Sequence, residues 1–339
     1  MSVLCLPKGE SMIKFKIICP LLFVLLLLPS FASASSILGA AGEYNVFTFG
    51  DMNVTSDTEG RVAVGGNFTA SDYSVGVLAP QSSYSLVTGG DVDYIRGSIN
   101  NGGIYSQGDV SLNNYTVFGD IHANGSVSYG PGGGTVTGGV IQNNSGLVSP
   151  VNFAAEESYL KSLSAELSQQ STSLGAELKY GANMYLTGDG TTALQVFHLD
   201  GAELLSATSL MLNDIAEGAS LLLNISGDVS GLTNMGLSAL TAFGDKVLFN
   251  FYDADILTLA GVGVWGSILA PHAAVSFNSG QINGTVIADY LTGSGQYNYN
   301  PYVGDGLGST PVPEPGTLVL FSIGILGAYG VLRRRAANL

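Results

Sequence analysis

Gly65-Gly66-Asn67-Phe68, Gly89-Gly90-Asp91-Val92, Gly102-Gly103-Ile104-Tyr105, Gly108-Asp109-Val110, Gly119-Asp120-Ile121-His122, Asn124-Gly125-Ser126-Val127 and Gly138-Gly139-Val140-Ile141 are variants of one phrase that recurs between Tyr44 and Gly146. Each joins a Gly-Gly, Gly-Asp or Asn-Gly pair to a few alternating residues rich in Val and Ile, a tight turn followed by a short strand. Gly and Asn are expected there because such turns need positive φ. In the later part of the region the turns recur about every five to six residues, closer than the ~8–12 of an ordinary sandwich. The spacing predicts a mainly β fold, a right-handed β-solenoid. Each short strand forms one side of a coil, about three sides complete a turn, and ladders between coils satisfy the backbone. A meandering sandwich or barrel with irregular hairpins is the alternative.

The pattern changes at Pro150. After Asn152, a good N-cap, the segment FAAEESYLKSLSAELSQQSTSLGAEL predicts one long amphipathic helix over about 153–179. Glu156 and Glu157 sit early, where a helix dipole favours acids, and Leu160, Leu163, Leu167, Leu174 and Leu178 line one face. Gly175 is its weak point. The leucines are expected to pack on the sheet; a membrane or partner role is the other reading. Strands resume at Met184–Thr187, Leu194–Leu199, Ser220–Ile225 and Lys246–Tyr252, and a second turn-rich repeat runs from Gly261 to Gly295. The expected order is therefore coils, a helix alongside, and more coils, one domain over 35–303, with a linker at 304–311.

Composition limits what such a body does. The 339-residue chain has a formal charge of −15, and most of its 11 Lys and Arg lie at the ends, which argues against nucleic acid as a partner. Only 11% of residues are charged while Gly numbers 47, an uncharged, turn-rich composition with enough apolar residues to argue against disorder. Both cysteines, Cys5 and Cys19, precede the body. Stability is then expected from burial and backbone hydrogen bonds rather than from disulfides.

The ends read as addresses. Lys8, Lys14 and Lys16, the apolar run from Ile17 to Leu28 and the small residues Ala32-Ser33-Ala34 form a secretory signal over 1–34, with cleavage expected after Ala34 and translation starting at Met1 or Met12. At the other end Pro311-Val312-Pro313-Glu314-Pro315 precedes an apolar segment from Thr317 to Leu332, closed by Arg333, Arg334 and Arg335. Such a segment rises only ~24 Å as a helix against a hydrocarbon core of ~30 Å, a marginal transmembrane span that relies on snorkelling arginines. That suits a temporary anchor, with the arginines inside and the body outside.

This tail, over 312–335, resembles the PEP-CTERM sorting signal through Pro313, Glu314 and Pro315, the apolar run, and Arg333 to Arg335. The resemblance implies transient residence in the inner membrane of a Gram-negative bacterium and processing by an exosortase-type enzyme. The cell surface or the extracellular matrix is the implied destination. The body is similar to the choice-of-anchor A family through FTFGD from Phe47, DTEGRVAVGGN from Asp57, LLLNISGD from Leu221, VLFNFYDADILTL from Val247 and GSILAPHAAVSFNSGQINGTVIA from Gly266. That family joins one adhesive domain to different surface anchors. The last of these segments is also similar to the closing coils of ice-binding β-solenoids. Extracellular polysaccharide or another surface ligand is the implied partner.

No catalytic constellation accompanies these features. His122, His198 and His272 are isolated, with no metal-ligand spacing around them. Gly261, Gly263 and Gly266 spell GxGxxG, but Gly266 leads into a strand-like run ended by Pro271 rather than the helix a dinucleotide site needs. No nucleophile elbow occurs. Asp51, Asp57 and Glu59, and Asp253 with Asp255, are candidates for Ca²⁺ or solvated turn carboxylates, without an EF-hand or calcium β-roll pattern. Otherwise no cofactor is expected. Tyr73, Tyr84, Tyr94, Tyr105, Tyr115 and Tyr129 are candidates for stacking on sugar rings or for core packing. The expected function is a non-enzymatic adhesin-like or structural role, with polysaccharide degradation by paired carboxylates and ice binding as alternatives.

Overall fold

A computed structural model describes residues 36–307 apart from 172, 173, 180, 181 and 192. The expected signal, with Ala32 and Ala34, and the sorting tail, with Pro313 to Pro315 and Arg333 to Arg335, lie outside the described residues. Among the described residues no helix is long and apolar enough to cross a membrane.

Short apolar strands stack in parallel along one side of the coils: Val46–Thr48, Val62–Val64, Tyr84–Thr88, Gly103–Ser106, Ile121–Ala123 and Val140–Ile141. Between them run longer strands, Met52–Thr58, Phe68–Val75, Val92–Ile99 and Val110–Val117, again parallel and in register. Each longer strand turns a corner at a left-handed residue, Ser56, Asp72, Arg96 or Asn114, and so supplies two further sides. The coil has three sides, as expected from the turn spacing. Alternation then sends Val62, Leu86, Ile104, Phe68, Val92, Leu112, Ile99 and Val117 inward to one buried core.

The glycines that mark the repeat serve a purpose other than the expected positive φ. Gly65, Gly66, Gly89 and Gly90 are absent from the residues with positive φ. Instead, a Cβ on Gly65 or Gly89 would overlap a carbonyl oxygen of the preceding coil, and one on Gly66 or Gly90 would overlap the side-chain oxygen of Asp51 or Asn67. Glycine stands where neighbouring coils touch backbone to backbone.

Helix α1, Phe153–Ser168, begins with the Asn152 side chain accepting from the Ala155 N–H. Leu160, Leu163 and Leu167 bury against Phe47, Leu248, Leu269 and Ile287 on the outer face of the first side. It is shorter than the 153–179 expected. Ser168 turns its hydroxyl onto the carbonyl of Ala165, and the Ser- and Thr-rich continuation before Gly175 gives the backbone competing partners. Gly175–Lys179 is instead a strand, antiparallel to Asn183–Thr187, which pairs in parallel with Ser209–Asn213 in a separate three-stranded sheet. In the segment expected to begin the linker, Leu307 is buried and the Asp305 N–H donates to Ser220 Oγ at 2.8 Å.

Sixteen residues of helix span ~24 Å, about five strand spacings of ~4.8 Å. Helix α1 therefore carries the chain back along the stack. Its start meets the first coil, where Tyr159 Oη donates to the Ile37 carbonyl and Ala40 N–H to Glu156 Oε2. Its end lies on Asn224 and Asn250. From there Gln195–Asp200, Leu221–Ser226 and Val247–Phe251 stack in parallel, and Ser267–Asn283 and Val286–Gly293 wind on. Val286 to Ala288 then pair with Val46 to Thr48, so the last coil closes on the first. Asn45 pins this seam, donating to the carbonyls of Gly284 and Asn298 and accepting from the Gly60 N–H.

Candidate functional site

The first side is partly covered by α1, but the outward residues of the second side form a row in register, one per coil. In order they are Thr258, Ser276, Thr292, Asn53, Thr69, Asp93, Ser111 and Ser128. Thr258 and Ser276 are half-buried and the other six exposed. At ~4.8 Å per coil the row extends about 34 Å. A second row, Asp57, Ser74, Ser98, Thr116 and Thr135, runs parallel to it beyond the corner. Both alternate with core residues such as Phe68 and Val92, so the same period-2 pattern that builds the core displays the hydroxyls. These rows offer many small donors and acceptors in a regular array and few charges. Alternation in the sequence placed them on strands, but which residues align across coils is set by register and was not readable from it.

Beside the first row a ladder of turn side chains ties coil to coil. Asp51 Oδ1 accepts the Asn67 N–H at 2.7 Å, Asn67 Oδ1 the Asp91 N–H at 2.8 Å, Asp91 Oδ1 the Asp109 N–H at 2.8 Å, and Asp109 Oδ1 the Ser126 N–H at 2.7 Å. The hydrogen bonds from Ser126 hold the Asp109 carboxyl below its usual range. Asp253 accepts from the Gly227 N–H and Glu59 from the Tyr299 N–H in the same manner. Of the acids singled out in the sequence, Asp51, Glu59 and Asp253 therefore act as acceptors for backbone N–H groups, while Asp57 accepts from the Ser56 hydroxyl and the Gln296 amide. Among the described residues no three or more His, Cys, Asp or Glu gather in a group able to hold a metal.

The histidines stay apart. His122 hydrogen-bonds Tyr84 Oη, His198 the Gln170 carbonyl, and His272 is exposed on another coil. Gly261 and Gly263 lie inside strand Ile256–Trp265, and Gly266 leads into strand Ser267–Asn283, which excludes the dinucleotide turn. The tyrosines separate by alternation: Tyr73, Tyr94, Tyr105 and Tyr115 are buried, Tyr84 is half-buried, and Tyr129 alone of the six is exposed, stacked on Tyr115 at 5.7 Å. Burial pushes the Tyr73 and Tyr94 hydroxyls up, and Tyr94 donates to the Tyr73 carbonyl. Four of the six are therefore core residues rather than a sugar platform.

Parallel coils, a lateral helix and open polar rows give the domain an extended, regular surface. The chain belongs to the family described as "Putative Ice-binding-like adhesive domain", matched over residues 37–299, and carries a PEP-CTERM protein-sorting motif over 311–335. These matches bear out the resemblance to an adhesive domain joined to a PEP-CTERM tail, the arrangement of an exported, surface-associated protein. No curated protein matches the chain. Among solved structures, an ice-binding protein from the Antarctic ascomycete Antarctomyces psychrotrophicus is similar at 14% identity over 78% of this chain and 97% of that one, with a TM-score of 0.28.

Proposed function

We propose that the chain is an exported, non-enzymatic adhesin. On this reading a signal peptidase cuts after Ala34, an exosortase-type enzyme processes the tail at Pro313-Glu314-Pro315, and the coiled domain works at the cell surface or in the matrix without a resident cofactor. The in-register row from Thr258 to Ser128, exposed from Thr292 onward, carries the reading. Repeated weak hydrogen bonds to a repeating polymer, extracellular polysaccharide above all, add up by avidity without a deep pocket.

Deleting the protein should reduce cell attachment or matrix retention, and the wild-type chain should restore it. Replacing Pro313, Glu314 and Pro315 by alanine should leave an unprocessed, membrane-retained chain. Attachment unchanged by deletion would sink the reading. Ice binding is the second reading, favoured by the family description and the in-register row. The row interleaves Asn53 and the charged Asp93 with its hydroxyls, so thermal hysteresis is expected to be absent; its presence would reverse the order of the two.

A further inference from the structure

The single tryptophan of the chain stands at a corner of the coils. Trp265 ends strand Ile256–Trp265, and register sets it beside Asn283 and Asn283 beside Asn298. Thr58 pairs with Tyr297, which brings Glu59 to the same corner on the next coil. The 3-10 helix Ser238–Lys246 forms the facing wall through Gly244 and Asp245. Between the two walls lies an open cleft of about 450 Å³, within the ~300–1,000 Å³ typical of small-ligand sites.

The polar groups of the cleft are aligned and incompletely used. Asn283 Nδ2 donates to the Val264 carbonyl at 3.0 Å, and its Oδ1 accepts from Asn298 Nδ2 at 2.8 Å. That fixes the Asn298 amide, whose Oδ1 is buried and accepts no hydrogen bond among the described residues. That leaves Asn298 Oδ1 as an unmet acceptor at the base of this wall, at a cost of about 1–3 kcal/mol. Glu59 spends Oε2 on the Tyr299 N–H and keeps a second oxygen. The two ion pairs among the described residues, Arg96–Asp72 and Lys161–Glu157, involve neither Glu59 nor Asp245. The site thus combines a half-buried indole packed on the core, amide side chains and two carboxylates with no cation in its lining.

That chemistry selects a ligand with several O–H donors, an apolar C–H face for the indole, and no negative charge. We propose that this cleft binds a neutral sugar unit of a polysaccharide and rejects uronates and sulfated or phosphorylated glycans. The proposal rests on the adhesin reading and gives it one defined site in addition to the extended rows.

Because Trp265 is the only tryptophan, its fluorescence reports the cleft directly. Titrating the full chain, purified in detergent, with cellohexaose, mannohexaose, galactohexaose and hexagalacturonate should give a saturable change with at least one neutral hexaose and none with the uronate. By calorimetry Trp265→Ala should weaken that binding by about tenfold or more. A Cβ at Gly244 makes ordinary contacts, 3.4 Å from Trp265 Cε3 and 3.5 Å from Asn300 Nδ2. Gly244→Gln should therefore obstruct the cleft and weaken binding similarly with an unchanged melting temperature. No response to any neutral hexaose, a stronger response to the uronate, binding that survives both substitutions, or release of reducing ends would each overturn the proposal. If deleting the protein impairs attachment while no neutral hexaose binds, the cleft proposal fails and the adhesin reading stands. Sugar binding with attachment indifferent to deletion is the reverse result.

Discussion

Gly89 packs its α-carbon against the Gly65 carbonyl of the preceding coil, and Gly90 lies over the Asn67 side chain whose Oδ1 accepts the Asp91 N–H. The Gly-Asx pair is therefore one unit: the acceptor reaches across the coil spacing only because the facing residue lacks a Cβ. Gly89→Ala should cost about 1–3 kcal/mol through overpacking and lower the melting temperature, whereas Gly175→Ala, with open space at its Cβ, should leave it level or raise it by up to about 1 kcal/mol equivalent. Equal effects at the two sites would contradict the account. The repeat itself was legible in the sequence, but its cause was not, because close approach between coils has no local signature. The same ladder predicts a pH response. The folded pKa of Asp109 lies below the ordinary 3.8, so its contribution is present above 3.8 and is lost as pH falls through the lower, folded value. Asp109→Asn keeps an amide oxygen at that position and should flatten this acid limb in melts below pH 3.8.

At the scale of the element, helix α1 is held by polar groups as well as leucines. Ser164 Oγ donates to Asn250 Oδ1 at 2.5 Å, Asn250 Nδ2 donates to the Ser164 carbonyl and to Asn224 Oδ1, and Asn224 Nδ2 donates to the Leu167 carbonyl. Asn224 and Asn250 are buried. Asn250→Leu strands Ser164 and Asn224 and should cost about 2–4 kcal/mol in urea unfolding, while adding Asn224→Leu should recover part of that loss. Strict additivity of the two changes would show that the groups do not act as a network. The leucine stripe and the Asn152 cap announced the helix, but its end was misplaced. Apolar period at Leu174 and Leu178 continued past the point where backbone competition stops the helix, and strand pairing with 183–187 then claimed 175–179.

Over the whole stack, the end of the first half differs from the middle. Val127–Tyr129, Gly134–Val136 and Val140–Ile141 form the last coil of the first half and are mostly exposed. Val46–Thr48 is flanked on both sides by Val62–Val64 and by Val286 to Ala288. Hydrogen exchange should be fastest in 127–141 and slowest at that seam, and the opposite gradient would contradict the register. By itself, the sequence determined the parallel coils, through turn spacing and alternation, together with the leucine face of α1 and the sorting tail. Only the tertiary structure decided that the second half winds back to close on the first, bringing Asn45 to Gly284 across 239 residues, and which hydroxyls align in rows. The reason is that strand alternation is a local property of side chains, whereas pairing is made by backbone groups that every residue carries alike. The choice of partner is therefore settled by chain closure and burial across the whole fold.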